Sequence, residues 1–455
     1  MIKSIESSFY RFRYVLVLVL TICYSIQYLH RVKTNVLMPF ISHDIGLTNV
    51  QIGIAGALLL LFYGPSQMLT GWICDKFGSR RVMIFSITAW SILTYCQGLT
   101  STVNEWFILM ALFGLMIGTE FIPSTRLIVR YFPPLQRAQA IGILSCAWIL
   151  TPAWAPLVSA YIYSALGNNW RIVFEILAYF GVVPLVLILL FVHDKPEDNK
   201  FVSKEEAVES YTEEIEKGLI TPEDVLRGDL SLIAKMKKSL YVPMSAILKT
   251  PGYIALLIVY IAGQLAYWGV MIWSAQYLAT VHGFSVMKMG AWACVYFAGG
   301  IIGSFLAGWL SDRVFRGRRK PMILMSFVMM IPFVVLLATL KAGVSPWLLL
   351  LSLTGAGFFS NMVWGPAMSL PADMFSVEVY GKAMGFVNCF GYMMAAASPY
   401  IMGLLIIQDP VTKTPNYFWA WMWVAATAVI GAVAATMLVD KKREEKSLVE
   451  QATAA

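Results

Sequence analysis

Apolar residues in this chain come in blocks of about twenty, each closed by a short polar stretch. Twelve blocks are long enough to cross a bilayer as helices at a window of roughly nineteen residues. The first six lie near 14–40, 50–73, 82–100, 104–130, 138–164 and 171–193. The second six lie near 252–279, 287–310, 321–341, 346–371, 380–406 and 416–438. Between the two sets runs a polar stretch, His193 to Lys249, too charged to enter lipid. The pattern predicts an all-α membrane protein with twelve transmembrane helices in two six-helix halves. Its organisation is 1–193, a linker over 194–250, and 251–455. Within the linker, "SKEEAVESYTEEIEKG" is expected as a surface helix and "KMKKSLYVPMSAIL" as a segment along the membrane surface.

Composition agrees, with 58% of the 455 residues hydrophobic and only 13% charged, against about 25% in soluble domains. That excludes a soluble enzyme and a disulfide scaffold. The net charge of +8 points to the membrane surface and not to nucleic acid, because of where the basic residues sit. Arg171, Lys288, Lys341 and Lys413 fall in loops on one side, and Arg31, Lys33 and Arg126 within spans. The rest cluster on the side of the two termini, which is therefore expected to be cytoplasmic. No small-residue cleavage site follows the first apolar run, which reads as an uncleaved span. The six cysteines lie in apolar blocks or at their edges, without metal-binding spacing. There is no phosphate-cradling loop and no nucleophile with a partnered base. Neither catalysis nor a cofactor is expected.

Two loops repeat each other. "GWICDKFGSRR" (Gly71–Arg81) follows the second block and "GWLSDRVFRGRRK" (Gly308–Lys320) follows the eighth. In each, a small residue permits close helix packing. Asp75 or Asp312 can then cap a neighbouring helix or pair with Arg81 or Arg319. With these motifs the chain resembles the major facilitator superfamily over nearly its whole length. The resemblance implies a transporter of two pseudo-symmetric halves, monomeric and in the inner membrane, with the aspartates governing conformational switching. "QYLHRVKTNVLMPF" (Gln27–Phe40) and "YWGVMIWSAQYL" (Tyr267–Leu278) look like the organophosphate:phosphate exchangers of that family. "PSTRLIVRYFPPLQRAQAIG" (Pro123–Gly142) is closer to the anion:cation symporters, which carry sugar acids and other carboxylates.

Arg31 is the sharpest candidate. A guanidinium inside a span costs about 3 kcal/mol to insert, so it should face protein or water. Tyr24, Gln27, Tyr28 and Arg31 share one helical stripe, a polar and aromatic surface suited to an anion that arginine can grip bidentately. In both related groups an arginine at this position binds substrate; the alternative is a structural or snorkelling arginine. Lys33, about 200° around the helix, is expected to snorkel outward or to form a structural pair. Glu120, deep in the fourth span, can exchange a proton with solvent, as a proton symporter requires, or pair structurally. By resemblance the coupling glutamate belongs at Gly118, two residues away. His30 stands where such symporters often have an aspartate, and either titrates or packs neutral. Arg126 is expected at an inner gate or paired with Glu120.

In the second half, Gln264 and Tyr267 form a stripe with Trp268 and Met271 that answers the first span. Asn361 and Trp364 precede the Gly365–Pro366 pair, and Asn388 and Tyr392 follow on the eleventh span. The exchangers place a second phosphate-binding arginine where this chain has Tyr267, and a histidine where it has Trp148. The expected partners are a small anionic solute, protons and the bilayer. Exchange of a phosphorylated solute for phosphate, and a transporter-like solute receptor, stand as alternatives.

Overall fold

Several helices start where a small polar residue meets an apolar run. Thr48 Oγ1 accepts from the Gln51 N–H, and Gln51 Oε1 accepts back from the Thr48 N–H (3.3 and 2.9 Å). Thr102 and Glu105 repeat this reciprocal cap, while Asn169 and Ser285 cap singly. The computed structural model describes residues 8–132, 134–195, 208, 212–216, 218, 221–223, 243–375, 377–408 and 414–439. The first set of helices is α1 (Ser8–Ile45), α2 (Asn49–Phe77), α3 (Ser79–Leu99), α4 (Val103–Ile117), α5 (Phe121–Tyr131), α6 (Pro134–Leu150), α7 (Ala155–Ala165), α8 (Trp170–Phe180) and α9 (Val182–Phe191). Two short helices follow, α10 (Thr212–Glu216) and α11 (Met244–Leu248). The second set is α12 (Tyr253–Thr280), α13 (Val286–Trp309), α14 (Lys320–Thr339), α15 (Pro346–Met362), α16 (Trp364–Met374), α17 (Val377–Ala395), α18 (Ala397–Leu405) and α19 (Phe418–Thr436). The rest of the expected linker helix, and the residues from Lys235 to Val242, lie outside the described residues.

Among the described residues, ten helices, counted with their continuations, are long and apolar enough to cross a bilayer. The pair either side of Trp154, bent by 44°, makes an eleventh. Twelve were expected, and the block at 380–406 is the difference. It is split into α17 and α18 at Ala396, and Lys382, Asn388 and four glycines dilute its apolar character. The chain also departs from all-helical at Ile407–Gln408, which pairs antiparallel with Pro415–Asn416. Several blocks are broken helices. α4 gives way to α5 at Gly118–Glu120, α6 to α7 through Thr151–Ala153, and α15 to α16 at Val363, three residues before Pro366.

Helix pairing recurs along the chain. α2 packs on α4 and α3 on α8; likewise α13 packs on α15 and α14 on α19. Between the two sets, α2 packs on α17 and α18, α13 on α7, and α1 on α12. Hereafter the near face is where α1 begins and the far face where it ends. At the far face the sets meet closely. A Cβ on Gly53 would lie 2.5 Å from the Pro399 carbonyl, one on Gly403 2.6 Å from that of Asn49, and one on Gly290 2.8 Å from the Ala160 methyl. At the near face, Gly71, Gly142, Gly308, Gly381 and Gly385 have open space where a Cβ would be.

Ion pairs tie the faces within each set. Near the near face, Arg126 Nη1 donates to Asp75 Oδ1 at 2.6 Å and to the Gly71 carbonyl at 3.1 Å. Arg126 therefore pairs with Asp75 and not with Glu120, and Arg81, expected beside Asp75, is exposed. Arg319 Nη1 donates to Asp312 Oδ1 at 2.6 Å, as the repeat suggested, and its Nε reaches Asp373 at 3.4 Å. At the far face Arg171 holds three segments: it donates to Asp44 Oδ2 at 2.9 Å and to the Gly98 and Thr100 carbonyls at 2.9 and 2.6 Å. Arg171→Met should cost about 2 kcal/mol, since charged hydrogen bonds contribute about 1.5–3 kcal/mol each and this site is partly exposed. A melting curve in detergent should show the loss, with Arg81→Met unchanged as the control.

Candidate substrate site

The broken and kinked helices converge at mid-height on a cavity of about 80 Å³. Tyr24 and Tyr28 come from α1, Tyr63 and Gln67 from α2, and Gln264 and Tyr267 from α12. Phe121, Trp148, Trp364, Met368, Asn388 and Tyr392 complete the wall. Asn388 Nδ2 donates to Gln67 Oε1 at 2.8 Å, joining the two sets across the cavity. Trp268 Nε1 donates to Gln264 Oε1 at 2.9 Å and so orients that amide. Tyrosine hydroxyls and amides around aromatic faces suit a solute with several hydroxyl groups.

Arg31 lies directly behind this wall. Only 3% of it is exposed, and its guanidinium sits among four rings. Tyr63 is 4.0 Å away, Trp268 4.4 Å, Tyr28 5.4 Å and Tyr392 5.5 Å, each measured to the ring centre. Two rings come from the first set of helices and two from the second. Such contacts contribute about 2 kcal/mol or more when desolvated. The guanidinium donates a hydrogen bond to the Tyr392 side chain, while Nε and Nη2 have no hydrogen-bond partner among the described residues. No carboxylate among the described residues neutralises the charge. The site therefore holds a fixed cation with donors to spare, one layer of rings from the cavity.

Other candidates fall elsewhere. Gln27 turns away from the cavity, and its Nε2 donates to the Ile117 carbonyl, 2.5 Å away, which the α4–α5 break leaves free. Asn361 lines a smaller adjoining cavity with Trp148 and Tyr267, and donates to the Gly357 carbonyl at 2.9 Å. Glu120 stands in the α4–α5 break, fully buried, and neither carboxylate oxygen has a partner among the described residues. A side chain at Gly118 would strike Ser66 and the Tyr63 carbonyl on α2, so a glutamate has no room there and the acid stands two residues on. His30 is buried against Trp90, with Nδ1 hydrogen-bonded to Thr94 Oγ1 at 3.0 Å. Lys33 neither snorkels nor pairs with an acid. Its Nζ is buried and donates to the His30 carbonyl at 2.9 Å and to Gln97 Oε1 at 3.2 Å.

Tyr63, Gln67, Phe121 and Met368 were not foreseen. Tyr63 and Gln67, one helical turn apart beside Gly64–Pro65, carried a signal of the same kind as the stripe on α1.

The model of the Major Facilitator Superfamily matches residues 20–316 and 257–454. The "Probable sulfoacetate transporter" of Cupriavidus necator is 26% identical over 451 residues, covering 97% of this chain and 98% of that protein. The "D-galactonate transporter" of Escherichia coli is 25% identical over 447 residues, covering 95% and 97%. Among solved structures, a bacterial homolog of the human lysosomal transporter Spinster, inward-facing and occupied, superposes with a TM-score of 0.72. It is 17% identical and covers 94% of this chain and 96% of that one.

Proposed function

We propose, for a multi-pass membrane chain that belongs to the Major Facilitator Superfamily, that it is a secondary active transporter of a small organic anion. The solute is a carboxylate such as a sugar acid, moved across the inner membrane by proton symport. The observation that carries this reading is the unneutralised Arg31 guanidinium, its spare donors one ring-layer from the central cavity. A carboxylate or sulfonate drawn into the cavity would meet one positive charge, tyrosine hydroxyls and the Gln67, Gln264 and Asn388 amides. Relatives named for sulfoacetate and D-galactonate transport support that solute class.

In this reading 1–193 and 251–455 are two six-helix halves, joined by 194–250, that rock about the site. The near face is cytoplasmic, in keeping with its basic loops. With the near face cytoplasmic, the close glycine contacts between the sets at the far face support an inward-open reading. Asp75–Arg126 and Asp312–Arg319 act as the switch elements. Phosphate exchange would call for a second cation in the cavity, but Tyr267 and Trp148 fill the positions where the exchangers carry theirs.

A binding panel on detergent-purified protein tests the reading. D-galactonate and sulfoacetate should raise the melting temperature by several degrees, and glucose 6-phosphate and inorganic phosphate should not. Stabilisation by the phosphates alone would turn the assignment to the exchanger, and silence from all four would remove the anion.

A further inference from the structure

Lys33 is a buried amine that the transport scheme above does not use. It points away from the cavity, about 200° around α1 from Arg31. Each element packed against it offers neutral groups. From α1 come the His30 carbonyl and the adjacent His30 ring, itself hydrogen-bonded to Thr94. From α3 comes Gln97 Oε1, while Arg80 and Arg81 lie at the near-face end of that helix. Phe113 of α4 and Phe174 of α8 present their rings to Nζ at 4.5 and 4.6 Å. The acidic groups of those helices are turned elsewhere, Glu105 into the α4 cap and Glu175 outward; Arg171 is held by Asp44.

This setting suits both forms of the amine. Two acceptors and two ring faces receive an ammonium, and no carboxylate compels one. Arg31, two residues away on the same helix, carries a fixed cation. Two like charges on the order of 10 Å apart in a protein interior shift each other's proton equilibrium by about tenfold. An anion at Arg31 cancels that repulsion.

We infer that Lys33 is a proton site linked to the substrate: binding of an anion at Arg31 draws a proton onto Lys33, outside the cavity. The inference rests on the organic-anion reading above and names a second group through which anion and proton are bound together. The proton comes from hydronium or buffer acid in the solvent, whose bond to it breaks as the N–H bond on Nζ forms. Since binding takes up a proton, affinity falls as pH rises, by at most about tenfold per pH unit for one proton.

Titration calorimetry with D-galactonate and sulfoacetate, from pH 6 to 9 in buffers of different ionisation enthalpy, counts the protons taken up. Wild type, Lys33→Arg and Lys33→Met are compared. Lys33→Arg, permanently charged, should take up fewer protons and hold the low-pH affinity of wild type across the range. Lys33→Met, never charged, should also take up fewer and hold the high-pH affinity. Either variant suffices if the other does not fold, and Lys33→Arg keeps the donors of the native site. Proton uptake equal to wild type in the variants, or none in wild type, overturns the inference while leaving the anion site standing. Absence of binding by wild type to either anion removes the anion reading and this linkage with it.

Discussion

Arg31→Ala should weaken binding of D-galactonate and sulfoacetate by at least about a hundredfold while the protein still inserts and folds. Truncating one member of a buried, hydrogen-bonded charge pair costs about 2–5 kcal/mol, which spans roughly thirtyfold to several thousandfold. The upper part of that range applies because no other buried cation borders the cavity wall among the described residues. Arg31→Lys separates charge from shape. It keeps the charge but loses the planar fork and the stacking between Tyr63 and Trp268. An intermediate loss is expected, near tenfold. Calorimetry on the three proteins checks both, and an unchanged affinity in Arg31→Ala would falsify the assignment of Arg31 as the anion's counter-charge.

Glu120→Gln should abolish uphill accumulation on a pH gradient and leave solute exchange running. The carboxyl is fully buried in the α4–α5 break, and neither oxygen has a partner among the described residues. A carboxylate without partners is expensive there, and on the reading proposed above its proton is exchanged as the break opens to water. Glutamine keeps the shape and removes the titration. In proteoliposomes a gradient of one pH unit supports about tenfold accumulation per proton; the variant should stop at equal concentrations inside and out, yet still exchange labelled for unlabelled solute. Continued accumulation would make Glu120 structural and turn attention to His30, whose buried Nε2 has no hydrogen-bond partner among the described residues.

The helical blocks and the near-face charges were legible because their cause is local. Thr48 with Gln51 and Thr102 with Glu105 mark helix starts within four residues, and the doubled aspartate motif placed Asp312 beside Arg319 within eight. What failed depended on geometry between helices. Gln27 shares the stripe of Arg31, but the break after Ile117 offers it a bare carbonyl, a partner no spacing along α1 can reveal. Arg126, expected at an inner gate or paired with Glu120 six residues away on the same span, pairs with Asp75 on α2. Lys33 is expected to snorkel outward, since a lysine in a span usually escapes lipid, or to form a structural pair. Its side of α1 is instead covered by α3, α4 and α8, where Gln97 and two phenylalanine rings receive it. Of the cavity, Tyr24, Tyr28, Gln264, Tyr267, Trp364 and Asn388 were readable as polar or aromatic residues at helical spacing.

On the assignment proposed above, the cage of four rings around Arg31 also sets how fast the site can load. An anion that diffuses into the cavity does not meet the guanidinium at once, since Tyr28, Tyr63 and Tyr392 line the wall and pack on the charge behind it. Capture then takes two steps, a loose encounter followed by a ring swinging aside. The second step does not depend on how much anion is present. Raising the solute concentration therefore lifts the association rate only to a plateau, and the height of that plateau belongs to the tyrosines and not to diffusion.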